Sequence, residues 1–395
     1  MTDFDPVNFT PQNGLFRSWR VAAMAGDRAL IDDGLIVVNN GVIKEVGRFK
    51  DLRSQVTGPV KDLGRVALAP GVFNCHTHLQ ISHAKGMTQL GRGFLPWLKS
   101  LLPLLPAKHD PAILDREILE MKRTGAAFVA DIVDRRLRTV SQSLLKSGLF
   151  HVLFYEFLGF KPINLDPPPW LDPDHPRHCS FDLSERIAAA GHALYSTRPE
   201  TLRSAKEWDR ARNRPFSLHL AELEEETELL AAGRGALAET LRPLGLNSDF
   251  HVPGLSPVAY ADELGLLDAH TLAVHCVHIG DADIEILKNK KVNVCLCPRS
   301  NALIGVGRAP LEKLRRAGIN ICLGTDSLAS NHDLNLWSEL IFLLENCPTH
   351  ISLDEFLGWM TLNPARAFGL DGLLGSIEAG KLARFSVLPE ELLEL

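Results

Sequence analysis

The stretch VALAPGVFNCH (66–76) is the first of a series of short apolar segments that decide the fold. The segments that follow it are AAFVADIV (126–133), HVLFYEFLG (151–159), HALYST (192–197), PFSLHLAE (215–222), TLAVHCVH (271–278), VNVCLCP (292–298) and INICLGTD (319–326). Each is rich in Val, Ile, Leu or Phe without clean alternation, which is typical of strands buried on both faces. Stretches with a helical pattern, such as DADIEILKNKK (281–291), separate them.

Repeated strand–helix units of this kind predict an α/β fold, a (β/α)8 barrel of the TIM type, in which parallel strands form an inner ring. An open doubly wound sheet is the alternative. The barrel is favoured because polar residues stand at the carboxyl ends of many different strands, and a barrel gathers those ends at one mouth.

The two ends of the chain have a different pattern, which predicts a second, smaller domain. Residues 17–50 alternate apolar and polar residues, and Asn40-Gly41 is typical of a two-residue hairpin turn. Residues 375–390, GSIEAGKLARFSVLPE, have the same strand-and-turn character. We therefore expect a small β-sandwich domain formed by residues 1–66 and 375–395, and a barrel domain formed by residues 67–374.

Composition and charge restrict the partners of the chain. Its 395 residues carry a net charge of −6, which gives no basic surface for nucleic acid, and no apolar run is long enough to span a membrane. The N-terminus is polar and acidic, unlike a signal peptide, and the seven scattered cysteines are typical of reduced thiols. We expect a cytoplasmic enzyme with a small-molecule substrate, and a homodimer is compatible with the sequence.

The Pro-rich stretch KPINLDPPPWLDPDHPRHCS (161–180) interrupts the strand–helix pattern. It cannot form a regular helix or strand, because proline lacks a backbone N–H and has a fixed φ. It is interpreted either as a long loop at the rim of the active site or as an insertion without a role.

Histidine and aspartate residues at the ends of predicted strands form a candidate metal site. His76 and His78 are two residues apart in a strand, so both imidazoles point to the same side and can bind one metal. A lone His-x-His pair more often only makes hydrogen bonds, but His219, His275 and Asp326 end three further strands. An Asp buried at a strand end needs a positive partner. The sequence therefore predicts one divalent metal, with Zn²⁺ favoured and Fe²⁺ or Mn²⁺ as alternatives.

Glu222 is the candidate proton carrier, because it follows His219 by three residues. A carboxylate beside a metal can take a proton from water and return it to a leaving group. The alternative is a Glu that favours a helix start, like the Glu224–Glu226 run, which is interpreted as a solvated first turn. His278 is interpreted either as a residue that orients His275 or as a packed polar residue.

Several motifs together resemble the amidohydrolase superfamily, in its branch of nucleobase and aminotriazine deaminases and chlorohydrolases. The motifs are APGVFNCHTHLQIS, SLHLAELEE, LAVHCVHI, LCPRSN, LGTDSLASN, TLNPARAFGL and GSIEAGK. Within the branch, EFLG (156–159), CPRSN and TDSLASN are most similar to aminodeoxyfutalosine deaminases of the alternative menaquinone pathway. The resemblance implies a barrel with a small β-sandwich, and one metal held by His76, His78, His219 and Asp326.

From these motifs we predict hydrolytic deamination of a 6-aminopurine nucleoside, with aminodeoxyfutalosine favoured, to a hypoxanthine product and ammonia. The predicted catalytic residues are Glu222, His275 and Asp326, and the predicted substrate contacts are Trp97, Glu156, His192 and Arg299. Trp97 is alternatively a core residue, and Arg299 would bind a carboxylate or a ribose. The alternative functions are deaminases of S-adenosylhomocysteine, methylthioadenosine, adenosine or guanine, a triazine chlorohydrolase, and a barrel without catalytic activity.

Overall fold

The computed structural model describes residues 10–26, 28–107, 110–161, 163, 165–172, 175, 178, 186–245, 250–347 and 351–392. The strands in these ranges are β1 (Gly14–Ala25), β2 (Arg28–Asn39), β3 (Val42–Arg48), β4 (Val60–Asp62), β5 (Ala67–Pro70), β6 (Val72–Thr77), β7 (Ala126–Val133), β8 (Phe150–Phe157), β9 (Ile187–Ala193), β10 (Phe216–Leu220), β11 (Thr271–His275), β12 (Asn293–Leu296), β13 (Asn320–Leu323) and β14 (Phe385–Val387).

The α-helices in the same ranges are α1 (Phe49–Leu52), α2 (Phe94–Leu101), α3 (Pro111–Arg123), α4 (Leu137–Ser147), α5 (Pro199–Arg210), α6 (Glu224–Ala232), α7 (Ala236–Leu241), α8 (Pro257–Glu263), α9 (Asp281–Asn289), α10 (Pro298–Ile304), α11 (Leu311–Ala317), α12 (Leu336–Asn346), α13 (Leu353–Met360) and α14 (Leu362–Ala367). Short 3₁₀ helices are Arg53–Gln55, Leu79–Ala84, Leu102–Leu104, Arg242–Leu244 and Glu390–Leu392. Among these described helices, none combines the length and the apolar character needed to cross a membrane.

One compact unit comprises the described residues of Met1–Asn74, Leu119–Val129 and Asn335–Leu395. Its sheet has the strand order β14-β5-β1-β2-β3, and β4 also pairs with β1. Asn40 and Gly41 have positive φ values of 51° and 71°, which produces the predicted tight turn between β2 and β3. Because β14 pairs with β5, both ends of the chain contribute to one sheet, as their sequence pattern indicates. The limits of the two sequence-predicted domains stay a prediction.

The predicted first segment, residues 66–76, is two strands and not one. Ala67–Pro70 (β5) pairs with β1 and β14, whereas Val72–Thr77 (β6) belongs to an eight-stranded sheet. The break falls at Gly71, where an added Cβ would lie only 2.5 Å from the Cβ of Ala127. The apolar run hides this break because both strands are buried, so their side chains follow no alternating pattern.

The other compact unit comprises the described residues of Cys75–Ile118 and Ala130–Leu334. Strands β6 to β13 are neighbours in chain order, and the pairs from β8 to β13 are parallel. A parallel bridge joins Thr77 to Asp326, and the Asp326 N–H donates to the His76 carbonyl at 2.9 Å. This bridge closes the ring, so the predicted (β/α)8 barrel is confirmed.

The fourth barrel strand begins earlier than predicted. The strand is Ile187–Ala193, and the residues after it in the predicted segment 192–197 form a turn. The sequence of this strand, IAAAGHA, lacks large β-branched residues apart from its first. Small residues are needed here, because a Cβ at Gly191 would lie 2.0 Å from a methyl carbon of Leu202 in α5. Close packing of a helix therefore outweighs strand propensity at this position.

Replacement of Gly191 by Ala is expected to destabilise the protein. The new methyl group overlaps Leu202, and overpacking of this kind costs about 1–3 kcal/mol. Urea denaturation measures the loss as a lower midpoint. The matched control is Gly372→Ala, because Gly372 is exposed and no atom lies within 4 Å of an added Cβ. Equal midpoints for the two variants would contradict the packing argument.

The described part of the Pro-rich stretch 161–180 is anchored by Trp170. This side chain is buried, and its ring centroid lies 4.8 Å from that of Tyr155 and 5.1 Å from that of Trp208. Positions 162, 164, 173–174, 176–177 and 179–180 lie outside the described residues. The predicted role of this stretch at the rim of the active site stays a prediction.

Candidate active site

Four side chains predicted as metal ligands meet at the carboxyl ends of barrel strands. His76 lies in β6 and His78 follows it, His219 lies in β10, and Asp326 follows β13. The Nε2 atoms of His76 and His78 are 3.1 Å apart, and those of His78 and His219 are 3.3 Å apart. Oδ1 of Asp326 lies 3.5 Å from His78 Nε2 and 3.7 Å from His76 Nε2. The structure therefore brings these four residues together.

The spacing of the three imidazoles fits a metal ion. Burial lowers the pKa of His76 well below its usual value and that of His78 to about 3, so both rings are neutral. The Nε2 atom of His78 lies 3.1 Å from that of His76 and 3.3 Å from that of His219. The His219 Nε2 carries a lone pair because its Nδ1–H donates to the His192 carbonyl, so at most one of these two contacts can be a full hydrogen bond. Ligand atoms of a tetrahedral zinc site, at about 2.1 Å from the metal, are about 3.4 Å apart, close to the distances seen here. The residues present could therefore hold a divalent cation.

Hydrogen bonds outside this cluster orient two of the four side chains. The Nδ1–H of His219 donates to the His192 carbonyl at 2.9 Å, which turns the Nε2 lone pair toward the other histidines. Oδ2 of Asp326 accepts from Ser300 Oγ at 2.6 Å and from Ser330 Oγ at 3.0 Å. Oδ1 of Asp326 is therefore left to face the imidazoles.

Asp131 supports the segment that carries the histidine pair, and it is absent from the sequence-predicted site. Its Oδ1 accepts from Thr77 Oγ1 at 2.8 Å and from the Leu79 N–H at 2.7 Å. Burial raises the pKa of Asp131 to about 7. The sequence contains a pattern that could have indicated Asp131. This residue stands near the end of the apolar strand AAFVADIV, just as Asp326 follows INICLGT.

Glu222 and His275 form a second pair beside the cluster. Oε1 of Glu222 lies 3.7 Å from Nε2 of His275, whose ring centroid is 5.4 Å from that of His219. The Nδ1–H of His275 donates to Oδ1 of Asn301 at 2.9 Å, which leaves its Nε2 facing Glu222. Burial raises the pKa of Glu222 to about 8, so this carboxyl carries a proton at neutral pH when no cation is near.

The first turn of α6 differs from the predicted solvated turn. Glu224 is exposed, but Glu226 is fully buried, and its Oε2 accepts the backbone N–H of Glu222 at 3.2 Å. The prediction is therefore wrong for Glu226. A run of Glu residues indicates a helix start by its charge, but it does not show which carboxyl folds beneath the preceding loop.

A cavity of about 400 Å³ opens onto the cluster. Among the residues that line it are the predicted Trp97, Glu156, His192, Glu222 and His275. Trp97 also packs against Phe94 with ring centroids 5.3 Å apart, and its Nε1–H donates to the Ala329 carbonyl at 2.9 Å. Both interpretations of Trp97, as a core residue and as a cavity wall, agree with this position.

Glu156 and His192 bring polar atoms to this cavity. Oε1 of Glu156 lies 3.8 Å from His219 Nδ1 and has no hydrogen-bond partner among the described residues. Nδ1 of His192 lies 2.5 Å from Ser196 Oγ. Burial raises the pKa of Glu156 well above its usual value and lowers that of His192.

Arg299 and His278 make other contacts. The Arg299 guanidinium donates to the two carboxylate oxygens of Asp333 at 2.7 and 3.1 Å, and within the described chain it is not among the cavity-lining residues. The Nε2–H of His278 donates to the Val306 carbonyl at 2.8 Å, which agrees with its interpretation as a packed polar residue. The predicted contacts of Arg299 with substrate and of His278 with His275 stay predictions.

Tyr195 also lines the cavity, and it is absent from the sequence-predicted site. Its ring is perpendicular to that of His192, and the two ring centroids are 5.9 Å apart. Its buried hydroxyl has no hydrogen-bond partner among the described residues. Burial raises the pKa of Tyr195 well above its usual value, and the nearby Glu222 adds to the effect. The segment HALYST (192–197) contains both residues, but only His192 is among the predicted substrate contacts.

Known proteins resemble this chain over most of its length. The model of the Amidohydrolase family matches residues 67–393. A 5-methylthioadenosine/S-adenosylhomocysteine deaminase from Nitratidesulfovibrio vulgaris is 30% identical over 370 residues, which cover 89% of this chain and 78% of that protein.

Two solved structures share the fold. Helicobacter pylori aminofutalosine deaminase in complex with methylthio-coformycin has a TM-score of 0.83 at 24% identity, covering 95% of this chain and 91% of that chain. An adenosine deaminase from Xanthomonas campestris with bound zinc has a TM-score of 0.75 at 24% identity, covering 95% and 84%.

The match of the family model spans the whole barrel, including the cluster of histidines and Asp326. The resemblance to the amidohydrolase superfamily and the prediction of a hydrolase are thereby confirmed. The chain belongs to the amidohydrolase family.

Proposed function

We propose that this protein is a hydrolytic deaminase that converts the 6-aminopurine of a nucleoside to hypoxanthine and releases ammonia. The observation that carries the proposal is the buried Glu222, which lies 3.7 Å from His275 beside the ligand cluster in a cavity of about 400 Å³. Such a volume is in the range of small-molecule sites. The activities named for the similar proteins, methylthioadenosine/S-adenosylhomocysteine, aminofutalosine and adenosine deamination, support the same reaction.

The proposed cofactor is one divalent metal held by His76, His78, His219 and Asp326. When bound, such a metal lowers the pKa of a water ligand toward neutrality and makes it a nucleophile. Zinc is favoured because three nitrogens and one carboxylate suit it, with Fe²⁺ or Mn²⁺ as alternatives. The zinc in the Xanthomonas campestris structure supports this choice.

In the proposed reaction Glu222 moves the protons. Together with Asp326 it takes a proton from the attacking water, and it delivers one to ring N1 of the purine as the C6–O bond forms. The same two carboxylates then take the second proton of the water from the new C6 hydroxyl, and Glu222 passes it to the departing amine as the C6–N bond breaks, which leaves the C6 carbonyl of hypoxanthine and ammonia. His275 faces the reacting carbon and stabilises the tetrahedral centre. A carboxyl with a raised pKa suits this task, because it can both hold and release a proton near neutral pH.

The rest of the cavity indicates what the nucleoside carries at its 5′ position. Residues with apolar side chains in its wall include Leu98, Leu101, Leu105, Phe160, Leu241 and Leu244. The cations in the wall have other partners, since Arg135 lies 3.5 Å from Asp134, and Arg136 donates to the Leu105 and Ala107 carbonyls. An apolar 5′ substituent therefore suits the wall better than a charged amino-acid tail. The wall by itself suits the methylthio group of methylthioadenosine and the aryl ring of aminodeoxyfutalosine, but not the carboxylate on that ring. The preference for aminodeoxyfutalosine as substrate therefore rests on the sequence motifs, with methylthioadenosine and S-adenosylhomocysteine as alternatives.

A panel of purine nucleosides tests this proposal. We expect the adenine absorbance of the substrate to shift to that of hypoxanthine, with one ammonia released per nucleoside. The highest kcat/KM is expected for aminodeoxyfutalosine or methylthioadenosine, because the aryl ring of the first and the methylthio group of the second can contact the apolar wall. Chloride release from a chlorotriazine, without ammonia release from any nucleoside in the panel, would overturn the proposed reaction.

A further inference from the structure

We propose that Glu226 is a positioning residue that holds Glu222 turned toward the cavity. It lies four residues beyond Glu222 in the first turn of α6 and is not among the described cavity-lining residues. The proposal rests on the proposed function, because it matters only if Glu222 carries protons there.

Glu222 needs a special backbone conformation to share a cavity with His219. Side chains of an extended strand alternate between its two faces, so a residue three positions after His219 would point to the opposite face. The chain corrects this at Ala221, which has a φ of 52°, in the left-handed region that residues other than glycine rarely adopt. The turn at Ala221 thus gives Glu222 its position 3.7 Å from His275.

An unfavourable turn persists only if its surroundings hold it in place. Two backbone carbonyl groups of the turn accept hydrogen bonds. The Cys276 N–H donates to the Leu220 carbonyl at 3.0 Å, and the His278 N–H donates to the Ala221 carbonyl at 2.8 Å. On its N–H side, the Glu222 N–H donates to Glu226 Oε2 at 3.2 Å. The turn is therefore held from both sides, and Glu226 is the side-chain acceptor in this arrangement.

The burial of Glu226 and its contact with the preceding turn decide what a substitution must retain. Its side chain is fully buried. Burial raises the pKa of Glu226 well above its usual value and Glu222 raises it further, while hydrogen bonds from the Glu222 and Ala221 backbone N–H groups act in the opposite direction. A glutamine keeps the shape of the side chain and an acceptor oxygen, whereas an alanine leaves the Glu222 N–H without this partner.

The test compares Glu226→Gln, Glu226→Ala and the control Glu225→Gln, which removes a carboxyl from the same turn. We expect Glu226→Ala to lower kcat at least tenfold with KM changed less than threefold, because substrate contacts stay in place. We expect Glu226→Gln and Glu225→Gln to keep kcat within threefold of the natural protein. Metal content by elemental analysis should be equal in all four proteins, and a crystal structure of Glu226→Ala should show the Glu222 carboxyl displaced.

A second substitution tests the turn itself. Glycine adopts a φ near +50° without strain, so Ala221→Gly should restore part of the kcat lost in Glu226→Ala. Full kcat in Glu226→Ala with Glu222 in its original position would overturn the proposal. If Glu226→Ala does not fold, Glu226→Gln decides, since a folded, metal-loaded Gln variant with kcat reduced tenfold would also overturn it. If the natural protein deaminates no nucleoside, the proposed function fails, while the crystal structure still tests the placement of Glu222.

Discussion

Replacement of Glu222 by Gln is expected to lower kcat by a factor of about 10²–10⁴, the usual contribution of a positioned acid–base group. Glutamine keeps the volume of the side chain and its place 3.7 Å from His275, but it can neither accept nor deliver a proton at neutral pH. Steady-state kinetics with the best nucleoside of the panel measure the loss. KM should change little, because the variant retains the walls of the cavity.

The control for this substitution is Glu224→Gln on the exposed side of α6, which should leave kcat unchanged. Elemental analysis should find the same metal content in the natural protein and both variants, because Glu222 is not among the four proposed ligands. Turnover by Glu222→Gln at more than about a tenth of the natural rate would remove Glu222 from the proposed mechanism.

The second large effect is expected from loss of a proposed metal ligand. His219→Ala removes one of three imidazoles whose Nε2 atoms lie together, and we expect metal content to fall below one-tenth of the natural level, with loss of turnover. The natural protein treated with a chelator should behave in the same way. A ligand at a thousand times its Kd stabilises a folded protein by about 4 kcal/mol, so chelation should also lower the thermal midpoint.

His270→Ala is the matched control, because it makes the same chemical change at an exposed position outside the cavity. It should keep both metal content and kcat. Natural levels of metal in His219→Ala would show that the cluster does not hold the metal through this residue, whatever the turnover of that variant.

Much of the fold could be predicted because it depends on patterns that survive in one sequence. Buried parallel strands appear as apolar runs, and polar residues at their ends indicate one mouth of a barrel. The structure differs from the prediction in segments where tertiary contacts outweigh the local sequence pattern. Gly191 makes room for Leu202 in a strand of small residues, and Gly71 divides one apolar run between two sheets.

The candidate site was predictable only in part, for a similar reason. His76, His78, His219 and Asp326 stand at strand ends, so sequence position alone places them together. Glu226 is buried beside the left-handed turn at Ala221. The Arg299 guanidinium donates to the carboxylate of Asp333, which lies 34 residues further along the chain. No periodicity or spacing in the sequence reports these contacts.

The bridge between Thr77 and Asp326 links the proposed cofactor to the integrity of the barrel. In a barrel whose strands follow chain order, the first and last strands meet at one seam. The residues paired at this seam are further apart in sequence than those of any other strand pair in the barrel. Here the residue that closes the seam through its N–H also contributes a carboxylate to the cluster. A bound cation would connect the first and last barrel strands through its ligands. Separation of the last strand from the first would then be coupled to release of the cation. Substitutions that loosen β13, even at positions remote from the cluster, would therefore act as mutations of cation affinity.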